Sequence, residues 1–196
     1  MSCSISFIPI LFATNHVDAS IDATAASIEA NIIQEEVIMG FKQSLIDNNS
    51  IQLHANATNW RDAIKIGTDM LIASGAIKPD YHNAIISSVE KLGPYICIAP
   101  NLALPHARPE DGVIRTAFAL VTLEKPIIFD GEDEPVDVLI TLAGSSSDEH
   151  MEGLMEVTQV LDDEDSETGV DLNKLRQCHT ADDVYRVIDE ALAKNA

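Results

Sequence analysis

Two apolar runs, Thr116–Leu123 and Val136–Leu142, constrain this chain more than any other feature. Neither shows the alternation of a strand with one wet face. Strands that are apolar on both faces belong in the middle of a sheet, with helices laid over both sides. The acidic stretch Asp130–Glu134 between them reads as a solvated connection.

Helices able to provide that cover are legible in the flanking sequence. Over Asn59–Ser74, residues Trp60, Ala63, Ile64, Gly67 and Leu71 fall on one helical stripe. Asn59 is placed as N-cap with Asp62 three residues on, and Gly75 supplies the stop. Pro79 suits the first turn of a second helix whose buried face is Tyr81, Ala84, Ile85, Val89 and Leu92, ended by Gly93-Pro94. Short strands are expected at Ile51–His54 and Tyr95–Ile98. After Ser145–Ser147 comes a helix with Met151, Leu154, Met155, Thr158 and Leu161 on its core side. Two shorter helices follow, at Asp171–Cys178 and Thr180–Ala193, with Thr180 and Asp183 forming a capping box for the last. The expected fold class is α/β, a three-layer sandwich with a mixed central β-sheet flanked by helices on both sides.

The chain of 196 residues suffices for one compact domain with about forty residues over. Residues 1–40 hold five acids and no base, and read as an N-terminal extension; the domain is read over 41–196. With 12 Lys+Arg against 32 Asp+Glu the formal net charge is −20, which argues against nucleic acid as a partner. Cys3, Cys97 and Cys178 are far apart and form no CxxC pair, so neither a disulfide framework nor a thiolate zinc site is indicated, and a reducing cytoplasm is the expected location. The apolar stretch Ile5–Ala13 has no Lys or Arg before it, unlike a secretory signal, and is too short to span a membrane.

No Walker A, GxGxxG, HExxH or GxSxG pattern occurs. The segment that stands out is Asn101-Leu102-Ala103-Leu104-Pro105-His106-Ala107-Arg108-Pro109. Its prolines forbid a helix and stiffen the backbone around His106. In an extended backbone residues two apart project to the same side, which places Arg108 beside the His106 imidazole. A neutral imidazole, with an ordinary pKa of about 6.5, is a competent nucleophile at neutral pH. A phosphoryl group carried on its nitrogen needs cationic and N–H donors around its oxygens.

Gly93 to Pro109, and above all Ala103-Leu104-Pro105-His106, resembles the active-site signature of the mannitol/fructose class of enzyme IIA of the bacterial phosphoenolpyruvate:sugar phosphotransferase system. The ascorbate-specific branch is the most similar, through Gly93-Pro94-Tyr95, Ile98-Ala99-Pro100, Leu120–Pro126 and Pro135–Ile140. The resemblance implies a phosphocarrier without metal or organic cofactor. His106 would accept a phosphoryl group from the carrier protein HPr and pass it to a cysteine of an enzyme IIB, through which the chain would associate peripherally with a membrane transporter. His150 matches a second histidine of the family that supports the phosphoryl group; the N–H groups of a helix start at Ser146–Asp148 favour anions there. Glu90 stands where many mannitol-type members carry an arginine, and Arg108 is the candidate to replace that charge.

Two other readings compete. A regulatory module of the same fold would be phosphorylated on His106 yet signal by binding a target protein. A zinc site built on His106 and His150 lacks a third ligand at helpful spacing, and Arg108 would oppose a cation. The oligomeric state is left open, a homodimer included.

Overall fold

The computed structural model describes residues 40–163, 166 and 169–194. In chain order these form α1 (Phe41–Asn48), β1 (Ile51–Ala55), α2 (Trp60–Ala73), α3 (Pro79–Leu92), β2 (Cys97–Ala99), β3 (Asn101–Ala103), a 3-10 turn (Pro109–Asp111), β4 (Ala117–Ile127), β5 (Val136–Ala143), α4 (Ser147–Leu161), α5 (Asn173–Arg176) and α6 (Ala181–Lys194). The strands make one sheet in the order β1-β4-β5-β3-β2. It is mixed: β1 runs parallel to β4, β4 antiparallel to β5, β5 parallel to β3 and β3 antiparallel to β2.

The apolar runs are inner strands covered on both sides. Along β4, Ala117, Ala119, Val121 and Leu123 enter one core with Trp60, Ile64 and Leu71 of α2 and Tyr81, Ile85 and Val89 of α3. Phe118 and Leu120 enter the opposite core, with Phe41 and Leu45 of α1, Val157 and Val160 of α4, and Val184 and Ile188 of α6. That period of two, apolar at both phases, produces the three layers. Asp137 interrupts β5, and the Arg176 guanidinium holds its carboxylate through bonds of 2.7 and 2.8 Å, which offset its desolvation.

The helix ends follow the capping chemistry in the sequence. Asn59 accepts from the Asp62 N–H at 3.0 Å, and Thr180 and Asp183 exchange the reciprocal bonds of a capping box.

Three expectations are corrected. Met151 and Met155 of α4 are 57% and 68% exposed, while the buried face is Gly153, Val157, Val160 and Leu161. Gly153 decides the rotation of the helix: a Cβ there would lie 2.8 Å from the Phe118 ring and 3.0 Å from Leu142, so the helix seats itself on the sheet at the residue lacking a side chain. Leu92, assigned to the buried face of α3, is 74% exposed. The apolar stretch after Tyr95 is no single strand but a hairpin of β2 and β3 that reverses at Asn101, whose φ is 68°. The Ile5–Ala13 run, Cys3 and nearly all of the 1–40 extension lie outside the described residues.

Candidate functional site

The loop after β3 is fastened to the end of β5. Leu104 donates its N–H to Ile96 O at 2.7 Å and Leu142 donates to Pro105 O at 3.0 Å. On the far side of His106, the Ala107 N–H donates to the Tyr81 hydroxyl at 3.0 Å, and that hydroxyl donates to Leu142 O at 2.7 Å. Tyr81 is fully buried, and burial drives its phenol pKa far up, so the proton needed for the second bond stays in place. The Tyr95 hydroxyl donates to His106 O at 2.7 Å.

The His106 imidazole has a defined tautomer. Its Nδ1 lies 2.8 Å from Leu104 O. A carbonyl oxygen only accepts, so Nδ1 carries a proton, and in the neutral ring the lone pair is then on Nε2. The Tyr95 ring meets the imidazole edge-on, with centroids 5.2 Å apart and planes at 87°.

His150 reaches the same place from α4. Ser146 caps the helix by accepting from Glu149 N–H at 3.2 Å, and His150 N–H closes the first turn onto Ser146 O at 3.0 Å. Gly144, just past β5, permits the close approach, since a Cβ there would fall 2.7 Å from His150 Cα. The two imidazole centroids are 5.1 Å apart, with the rings tilted by 50°. Burial, and then the neighbouring His106, lowers the pKa of His150. Its Nδ1 is buried without a hydrogen-bond partner among the described residues. The carboxylate of Glu149 is engaged by the hydroxyls of Ser145 and Thr116, which hold its pKa below the ordinary glutamate value.

Both histidines line an open cleft of about 660 Å³, together with Arg108, Lys91, Tyr95 and Met151. Arg108 and His106 both line this cavity. Arg108 and Lys91 have no carboxylate within ion-pair distance among the described residues, whereas Lys42, Arg61 and Arg176 are paired with Asp189, Glu90 and Asp137. Asp111, also at the cleft, accepts the Arg108 backbone N–H at 3.1 Å rather than its guanidinium. Glu90 turns to Arg61 of α2 at 2.7 Å and is absent from the lining; Lys91 beside it is present.

Lys91 and the two tyrosine hydroxyls escaped sequence reasoning. The spacing of Ala84, Ser88 and Lys91 on one face of α3 is the signal that locates the lysine; a tyrosine on an apolar stripe does not announce where its oxygen goes. Among the described residues no group of three or more His, Cys, Asp or Glu side chains is placed to hold a metal ion.

Residues 44–191 match the family model of the phosphoenolpyruvate-dependent sugar phosphotransferase system, EIIA 2. The ascorbate-specific PTS system EIIA component of Salmonella choleraesuis is 46% identical over 157 residues, covering 79% of this chain and 99% of that protein. A crystal structure assigned to PTS IIA from Streptococcus mutans superposes with a TM-score of 0.73 at 38% identity, over 79% of this chain and 96% of that one. The mannitol-specific cryptic phosphotransferase enzyme IIA of Escherichia coli gives a TM-score of 0.65 at 31% identity, over 75% and 99% of the two chains. The loop that holds His106, the helix that brings His150 to it and these likenesses over most of the chain agree, and the protein belongs to the EIIA 2 family of the phosphoenolpyruvate-dependent sugar phosphotransferase system.

Proposed function

We propose that this chain is a phosphocarrier that takes a phosphoryl group onto Nε2 of His106 from phosphorylated HPr and hands it to a cysteine of an enzyme IIB. The observation that carries the reading is the tautomer of His106: with Nδ1–H committed to Leu104 O at 2.8 Å, Nε2 is the nucleophile. The Nε2 lone pair attacks phosphorus, the P–N bond to the donor imidazole breaks, and its electron pair returns to the donor. The proton on His106 Nδ1 stays throughout, so the phosphorylated ring keeps its bond to Leu104. In the second half-reaction a thiolate attacks phosphorus, and the Nε2–P pair returns to His106.

Arg108 and Lys91 are available to the phosphoryl oxygens because no carboxylate among the described residues is within ion-pair distance of them, and His150 offers a ring nitrogen beside the acceptor. Leu92, Tyr95 and Met151, 37–74% exposed and all lining the cleft, give this face an apolar surface on a strongly acidic protein, which suits docking of other proteins around the cleft. The 46% identity to an ascorbate-specific relative favours ascorbate as the molecule whose uptake the carrier serves. The work is assigned to the cytoplasm, where the phosphoenolpyruvate-driven donors operate; no helix among the described residues is long and apolar enough to cross a membrane.

The test is incubation with phosphoenolpyruvate, enzyme I and HPr, followed by intact-mass measurement. A gain of one phosphoryl group that peptide mapping places on His106 is the expected result. An unmodified chain, or a phosphoryl group elsewhere, overturns the reading.

A further inference from the structure

Pro105 and Pro109 fix their own φ angles and Pro109 restricts Arg108 before it, but His106 and Ala107 keep free backbone torsions. Rotation of the His106–Ala107 peptide would swing the imidazole, and that peptide is held at both ends by tyrosine hydroxyls. Its oxygen accepts from Tyr95 at 2.7 Å and its N–H donates to Tyr81 at 3.0 Å. The anchors differ in kind. Tyr81 is buried and tied onward to Leu142 of β5, whereas Tyr95 is 37% exposed at the cleft and also lays its ring edge against the imidazole. Gly93, at φ 84°, and Pro94 turn the chain out of α3 so that this side chain is delivered over the loop.

We propose that Tyr95 is a positioning residue for the phosphoryl-accepting imidazole. Its hydroxyl fixes the peptide plane of His106 and its ring limits the side-chain rotamer, while the Nδ1–H bond to Leu104 sets the rotation of the imidazole about its own bond. The proposal rests on the reading of His106 as acceptor. In-line transfer requires attacking and accepting atoms about 3–3.5 Å apart and aligned, and an error near 1 Å costs roughly a hundredfold in rate. An imidazole released from one of its restraints spends only part of its time in that geometry.

Tyr95→Phe removes the hydroxyl and keeps the ring edge; Tyr95→Leu removes both. In single-turnover phosphorylation by phosphorylated HPr, Tyr95→Phe is expected to lower the rate at saturating donor about tenfold with the half-saturating concentration unchanged, and Tyr95→Leu to lower it further. A rate for Tyr95→Phe within twofold of the parent at saturation, or a loss confined to the half-saturating concentration, overturns the proposal, the latter by making Tyr95 a docking residue. Nitrogen and ring-proton resonances of His106, recorded without any donor, give the second readout. The parent should show one sharp Nδ1–H imidazole with contacts to the Tyr95 ring, and Tyr95→Phe should show a broadened, exchanging one; identical spectra overturn the proposal. If the parent chain takes up no phosphoryl group, the acceptor reading fails while the spectra still decide whether Tyr95 orients the ring.

Discussion

The imidazoles of His106 and His150 lie 5.1 Å apart between centroids, and each is brought there by a different element: His106 by the loop after β3, His150 by the first turn of α4. One ring has its Nδ1 proton bonded to a backbone carbonyl; the other has a buried Nδ1 without a partner among the described residues. Under the proposed function the first is the fixed acceptor and the second an adaptable neighbour.

His106→Ala should abolish phosphoryl acceptance. Because the side chain is only half-buried at a cleft, thermal unfolding should register a change of no more than about 1 kcal/mol. In the parent the modification should be lost in acid and survive alkali, as a phosphoramidate does; an acid-stable phosphate would point to a hydroxyl acceptor instead.

His150→Ala should still be phosphorylated, but its onward transfer to an enzyme IIB cysteine should slow, since the phosphoryl group loses a donor that orients it. His150→Gln retains an N–H donor of similar reach and should recover part of the rate. The measurement is flux of labelled phosphoryl group from loaded protein to a purified IIB domain, and equal flux for parent and His150→Ala would remove His150 from the site.

Arg108→Ala should slow the transfer step itself, by about 2–4 kcal/mol of barrier if the guanidinium stabilises charge on the moving group. Arg108→Lys should fall between, a point charge replacing a planar fork. Single-turnover rates at saturating donor check this; an unchanged rate for the alanine variant leaves Arg108 a surface residue.

Acidification should destabilise the fold partly through His150. Its pKa is lowered in the native state, so between that lowered value and the ordinary value of about 6.5 the unfolded chain binds more protons, and stability falls as pH drops. His82, lowered by burial and by Lys65, acts in the same sense. Denaturant midpoints from pH 7.5 down to 5 should decline less steeply in His150→Gln than in the parent; parallel curves would show that His150 takes up its proton without cost.

The sequence disclosed the helix stripe of α2 residue by residue: Trp60, Ala63, Ile64, Gly67 and Leu71 are all buried. It failed for α1, whose buried face mixes Phe41 and Leu45 with Ser44 and Asn48. The Ser44 hydroxyl accepts the Phe118 N–H of β4 at 2.9 Å, a partner far along the chain, and Asn48 donates to Ser44 O at 2.7 Å within the helix, so polar residues lie inside where hydrogen bonds receive them. The methionines of α4 misled for the opposite reason, being apolar and yet exposed, Met151 at the cleft. The Pro-His-Ala-Arg-Pro run marked a loop that lines the cleft. The tyrosine bonds span 11 to 61 residues and follow no local pattern, so only the folded chain displays them.

Leu142 bonds Pro105 through its N–H and Tyr81 through its carbonyl, and two residues further on Gly144 abuts the backbone of His150. The two imidazoles therefore share a single datum, the last residues of β5. A shift of that end of the strand moves both rings together, as two instruments bolted to one rail keep their spacing when the rail moves.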